Sequence, residues 1–148
     1  MKKELNEYDL ISLTLGHLVY QGTRSYDKEK GSCMYRASGN LKCAAGFWVP
    51  DELYHYGMEF KNIKAVSEYL DPQYEWSPEL IKSLRNLQDL HDDEKNWKSM
   101  DTFFGAINGY MIAYSIKDIV VNGRAVGSNI LYETIQKHWK GKKRDLPY

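Results

Sequence analysis

The sequence predicts an α+β domain that is mostly helical, a bundle of four to six helices with one or two small β-hairpins. Apolar residues recur at three- and four-residue steps in four separate segments, the spacing of a helix with one buried face. Helix punctuation flanks them, most clearly Ser77-Pro78-Glu79, where a Ser cap precedes Pro at the first helical position. Two tight-turn sequences, Ser38-Gly39-Asn40 and Asn122-Gly123, break the helical pattern with residues that tolerate positive φ. A chain of 148 residues suits a single domain, 1–148, long enough to bury a core without staples.

Taken in order, Tyr8, Ile11, Leu15 and Leu18 step along one face of a helix over residues 4–20, with Gly22 as its stop. Residues 23–32 are polar and charged and read as a loop. Residues 33–36 and 41–49 read as short runs around Ala37-Ser38-Gly39-Asn40, a hairpin that would set Cys33 near Cys43. The competing reading starts a buried helix at Cys43. Pro50-Asp51-Glu52 has the form of a first helical turn, leading a short helix to Met58, and 63–70 is a further candidate. Residues 77–91 place Leu80, Leu84, Leu87 and His91 on one face, with Ile81 and Leu90 beside it. A fourth strong helix begins near Ser99 and Asp101, with Phe103, Ile107, Tyr110, Met111 and Tyr114 as its stripe. Asn122-Gly123 turns a hairpin over 119–126, and Ser128 caps a last helix with Leu131, Ile135 and Trp139 inward. Residues 118–148 form a candidate C-terminal extension, a hairpin followed by a basic helix.

Twenty basic and twenty acidic residues give zero net charge. That balance argues against a general nucleic-acid binder, though not against a local patch. Twelve Tyr and four Trp suit either a core rim or a recognition surface, because their rings bury while their polar tips stay wet. Two cysteines do not make a disulfide scaffold, and acidic residues stand near the start where a signal peptide needs apolar ones. The expectation is a cytoplasmic protein with reduced, mainly structural thiols. The apolar runs are too short to span a bilayer, so no membrane partner is expected.

Four groups of residues carry candidate chemistry. Cys33, Cys43, His55 and His91 are zinc-ligand types, although no Cys-x-x-Cys or His-x-x-x-His spacing joins them. Cys43 follows Lys42 at a candidate helix start, where a thiolate would be favoured, and is the candidate catalytic residue. The rival role is a small buried apolar side chain. Arg24, Arg36 and Lys42 flank the Ser-Gly-Asn turn, with Tyr26, Tyr35, Trp48 and Tyr54 as flat partners, which suits an anionic or nucleotide-like ligand. The rival is structural: Arg36 pairs with Asp51 or Glu52. No Walker or Rossmann glycine pattern is present, and no cofactor is expected. Lys137, Lys140, Lys142, Lys143 and Arg144, with His138 and Trp139 among them, fit either phosphate contact or a solvated helix end. The neutral total charge favours the solvated end.

One stretch also carries a resemblance. Cys33-x-Tyr35-Arg36, then Gly39-x-Leu41-Lys42-Cys43-Ala44-x-Gly46, then Pro50-Asp51-Glu52-x-Tyr54 resembles a family of small uncharacterised proteins of bacteria and tailed phages. Arg24-Ser25, Met58-Glu59 and Leu87-Gln88-Asp89-Leu90-His91-Asp92 extend the likeness, while Phe47-Trp48 departs from it, where a smaller residue and Leu are expected. The resemblance implies a phage or bacterial setting without a mechanism: an accessory protein that binds a host protein or a small anionic ligand, in the host cytoplasm, as a counter to host defence. The residues leave a second class open, a small cysteine- or metal-dependent enzyme. Oligomeric state is open too, with a homo-oligomer among the options.

Overall fold

The computed structural model describes residues 1–141. It contains α1 (Glu7–Gln21), β1 (Tyr26–Asp27), β2 (Ser32–Cys33), β3 (Arg36–Ala37), β4 (Leu41–Lys42), α2 (Ala44–Phe47), α3 (Ile63–Val66), α4 (Pro78–Asp92), α5 (Met100–Ala113), β5 (Asp118–Val121), β6 (Arg124–Gly127) and α6 (Ser128–His138). The strands form three separate antiparallel pairs, β1–β2, β3–β4 and β5–β6. This is the expected α+β architecture dominated by helix.

α1 is the centre. Its start is capped by Asn6, whose side chain accepts the Asp9 N–H, and its end by Gly22 at φ 69°. An amphipathic stripe understates it: Leu10, Ile11, Leu15, Leu18 and Val19 are buried, as are Ser12 and Thr14 between them. Those hydroxyls find acceptors, Ser12 at the Asp118 carbonyl (2.8 Å) and Thr14 at the Leu10 carbonyl (2.6 Å). The helix is wrapped by α4, α2, α6 and β5. β5 comes so close that a Cβ on Gly16 would lie 1.6 Å from the Val120 carbonyl oxygen. Tyr8, expected on the buried stripe, is 39% exposed and uses its hydroxyl to accept the Lys117 and Asp118 N–H groups.

α4 and α5 form as their punctuation predicts. Ser77 caps α4 at the Leu80 N–H, and Ser99 caps α5 at the Thr102 N–H. Leu80, Leu84, Leu87, Leu90 and His91 are buried on α4, and Phe103, Ile107 and Met111 on α5. Each fully buried aliphatic side chain contributes about 1.5–3 kcal/mol. Tyr114, assigned to the α5 stripe, is 39% exposed beyond the helix end. The segment expected as a C-terminal extension joins the same core, with Ile119, Val121, Val126, Leu131 and Ile135 all buried. Asn122 and Gly123 take φ 49° and 79° at the β5–β6 turn, in the register Val121↔Arg124.

Several local expectations are corrected. The stretch 23–32 is not all loop: Tyr26 pairs with Cys33 and Asp27 with Ser32. Its turn is held by the Asp27 carboxylate, which accepts the Glu29 and Lys30 N–H groups, a polar device that hydrophobic periodicity does not reveal. Hairpin and helix readings of 33–49 are both realised, in succession. β3 pairs with β4 through Arg36↔Lys42, and Cys43 then caps α2, its sulfur accepting the Gly46 N–H at 3.3 Å. Cys33, on β2, therefore faces Tyr26 while Cys43, just past β4 at the start of α2, bonds the Tyr35 carbonyl through its N–H; both are free thiols. Residues 51–60 form two 3₁₀ turns rather than one helix, because Tyr54 and His55 are extended between them. Ser128 lies inside α6 rather than capping it, since Gly127 leaves the β-ladder directly into the helix.

Candidate functional site

The residues expected around the Ser-Gly-Asn turn fold into a clamp. Glu59, on the second 3₁₀ turn (Tyr56–Phe60), reaches back to β3 and accepts the backbone N–H groups of Tyr35 (2.8 Å) and Arg36 (3.1 Å) and the Tyr54 hydroxyl (2.5 Å). The Tyr35 hydroxyl donates to the Lys61 carbonyl at 2.5 Å. Burial raises the Tyr35 and Tyr54 phenols well above their ordinary range, and Tyr54 is pushed further by its bond to Glu59. Arg36 donates to the Val49 carbonyl (2.6 Å), pairs with Asp51 (2.7 Å) and lies over the Tyr54 ring at 4.8 Å. The Arg36 and Lys42 charges hold the Asp51 carboxyl below the usual carboxylate range. Trp48 is buried, its indole donating to Thr14 and its ring edge-on to Tyr74 and Trp76, so it offers no face to a ligand. Phe47 stacks on His17 at 4.5 Å.

Cys33 and His91 belong to a second, buried network. One ligand atom each from Cys33, His91 and Asp92 lie within 4.8 Å of one another. His91, fully buried, accepts the Ser25 N–H at Nε2 (3.0 Å), which places the ring lone pair there and the proton on Nδ1, donated to Asp92 (2.8 Å). A metal-bound histidine instead gives its second N–H to an acceptor, so His91 has no nitrogen to spare. Gln88 completes the brace, accepting the Ala45 N–H (2.9 Å) and donating to Asp92 (2.9 Å). Arg24 closes it from outside, donating to the Asp92 carbonyl and lying 4.3 Å over the Tyr26 ring. Arg24-Ser25 and Gln88 to Asp92, far apart in sequence, thus meet in one network. Burial pushes the Cys33 thiol up to about 11 and the Cys43 thiol up to about 12. Neither is a thiolate at neutral pH, and Cys43 has no exposed surface for a substrate to reach. His55 is apart from both, exposed and edge-on to Tyr69.

A cavity of about 630 Å³ opens on the other side of the β3–β4 turn. α1 supplies His17, Tyr20 and Gln21, β4 supplies Lys42, and the end of α6 with the residues just after it supplies Lys137, His138 and Lys140. α6 ends here because the Lys140 N–H bonds the Gly22 carbonyl at 3.1 Å, and a Cβ on Gly22 would lie 1.9 Å from the His138 carbonyl oxygen. Among the described residues that line it there is no Asp or Glu. Burial lowers His17 to about 4, and its Nε2 donates to the Lys42 carbonyl. His138 is lowered by desolvation and by Lys137 and Lys140. The charge in the cavity at neutral pH is therefore that of the lysines. Lys42 leans towards Asp51 at 3.6 Å; Lys137 and Lys140 make no ion pair among the described residues.

Of the expected ligand residues, only Lys42 faces this cavity; Arg24, Tyr35, Arg36, Trp48 and Tyr54 are committed to the clamp, the brace or the core. Lys137 and Lys140 belong to the basic run assigned to solvent, whose Lys142, Lys143 and Arg144 lie outside the described residues. The run itself was visible in the sequence; its place against α1 and the β3–β4 turn was not. Compared with protein-family models, with curated proteins and with solved structures, the chain matches none. No helix among the described residues is long and apolar enough to cross a membrane.

Proposed function

We propose that this protein is a non-enzymatic binder of a small anionic ligand, held in the cavity between α1, the β3–β4 turn and the end of α6. One observation carries the reading: in a chain of zero net charge, the described wall of this cavity has three lysines and two histidines and no carboxylate. A recess of one charge sign attracts the opposite charge, and lysine ammonium groups suit a multiply charged phosphate or carboxylate. Binding without chemistry is favoured because both thiols are held protonated and both nitrogens of His91 are occupied. In the phage setting that the resemblance implies, such a protein would act by withholding the ligand from a host factor.

Calorimetric titration with inorganic tripolyphosphate at low salt tests this. The expected result is saturable one-site binding that weakens with added salt and falls at least tenfold in a Lys137→Ala/Lys140→Ala protein. Absence of binding to the wild type, or equal binding by the double variant, sinks the reading. The same titration should strengthen as pH falls, because a bound anion favours protonated His138 over the neutral form that desolvation, and then Lys137 and Lys140, favour in the empty cavity.

A further inference from the structure

We infer that the anion cavity is the middle of a longer track that holds a single-stranded oligonucleotide, with phosphates on Lys28, Lys140, Lys137 and Arg124 and bases against the aromatic rings between them. The inference rests on the small-anion reading of the central cavity and extends it.

Two further cavities share walls with the central one. A recess of about 290 Å³ is lined by Arg24, Tyr26, Lys28, Trp97 and Trp139, and it meets the central cavity at Leu41 and Trp139. A recess of about 460 Å³ between β5–β6 and α6 is lined by Arg124 and meets the central cavity at Lys137 and His138. No Asp or Glu appears among the described residues of any of the three walls. Lys28, Lys137, Lys140 and Arg124 have no carboxylate partner among the described residues, so their charge is not already neutralised.

A lone phosphate cluster would need only the central cavity. The outer recesses add what a strand carries besides charge, which is flat rings at intervals. Tyr20 is 47% exposed beside His138, whereas Tyr26 carries Arg24 on its face and Trp139 is half-buried against Phe103 and Trp97 at the shared wall, so Tyr20 is the exposed ring and the other two present edges. Cations set beside the exposed Tyr20 ring and the ring edges of Tyr26 and Trp139 suit unstacked bases, because every base has a π-face and every linkage a charge. A duplex hides its base faces and presents two stiff backbones, which concave recesses with aromatic walls cannot use. The neutral total charge does not oppose this, because binding responds to the local field rather than the molecular sum.

Fluorescence anisotropy with labelled dT10 tests the track, with tripolyphosphate and a ten-base-pair duplex as comparisons. dT10 should bind at least tenfold more tightly than tripolyphosphate at equal salt, and more tightly than the duplex. Four phosphate contacts imply a slope of log K against log salt of about −3, taking ~0.7 per contact for single strands. Lys28→Ala and Arg124→Ala, both at exposed positions of the outer recesses, should each weaken dT10 about threefold or more and leave tripolyphosphate unchanged. Thermal melts confirm that both variants are folded. If dT10 binds no better than tripolyphosphate, or the outer variants change nothing, the track is wrong and the small-anion cavity stands. A preference for duplex also overturns it. If neither dT10 nor tripolyphosphate binds, both readings fall together.

Discussion

Arg36 and Lys140 are both cations beside irregular backbone, yet their surroundings are opposite. Arg36 is engaged by the Val49 carbonyl, the Asp51 carboxylate, the Tyr54 ring, and Glu59 on its backbone N–H, with only its Nε left without a hydrogen-bond partner. Around Lys140 the described cavity wall offers lysines, histidines and no acid. Positive charge that is already bonded holds the fold, whereas positive charge without a counter-charge raises the local potential and is free to meet a ligand. The sequence alone pointed to the first group because Tyr, Arg and Gly concentrate there; the geometry points to the second.

The comparison is tested first at Glu59. Glu59→Ala orphans two backbone donors and a tyrosine hydroxyl together, and should cost ~3 kcal/mol in chemical denaturation, since each buried unsatisfied group costs ~1–3 kcal/mol. Tripolyphosphate affinity per folded molecule should not change; a parallel loss of affinity would merge the two regions into one site. Arg36→Ala should cost ~2 kcal/mol, mostly through the Val49 carbonyl and the Tyr54 ring rather than the exposed Asp51, again with affinity intact. A fully stable, non-binding Arg36→Ala protein would reverse the assignment and return the site to the clamp.

His17 offers a smaller effect with a defined sign. Its pKa is lowered from 6.5 to about 4 by burial, so between those values the unfolded chain binds the extra proton. The resulting stability is complete above pH 6.5 and is lost as pH falls towards about 4. His17→Gln keeps a donor for the Lys42 carbonyl without that titration, so wild type should lose ~1 kcal/mol or more than the variant between pH 6.5 and 4.5. Identical slopes would mean that His17 is solvated. The smallest expected change is in the stability of Lys137→Ala/Lys140→Ala, within ~0.5 kcal/mol of wild type, because neither lysine has a partner to lose. A marked fall in melting temperature there would show that the groove lysines are structural after all.

Features governed by near neighbours could be read from the amino-acid order. The Ser77 and Ser99 caps, the Gly22 stop and the Asn122-Gly123 turn all act within four residues, and all stand where their chemistry puts them. The α4 stripe of Leu80, Leu84 and Leu87 was legible for the same reason: its period is set by its own backbone. Other roles depend on residues distant in the chain and emerge only on assembly. Gly16 looks like any helical glycine until β5 arrives against it from more than 100 positions away. His91 has the form of a metal ligand until the Ser25 N–H takes its lone pair. Lys137 and Lys140 read as a solvated helix end until α1 and the β3–β4 turn close a cavity around them. Local dihedral and hydrogen-bond preferences are encoded residue by residue, but the counter-charges and approach distances that give a side chain its role are set only when the elements assemble.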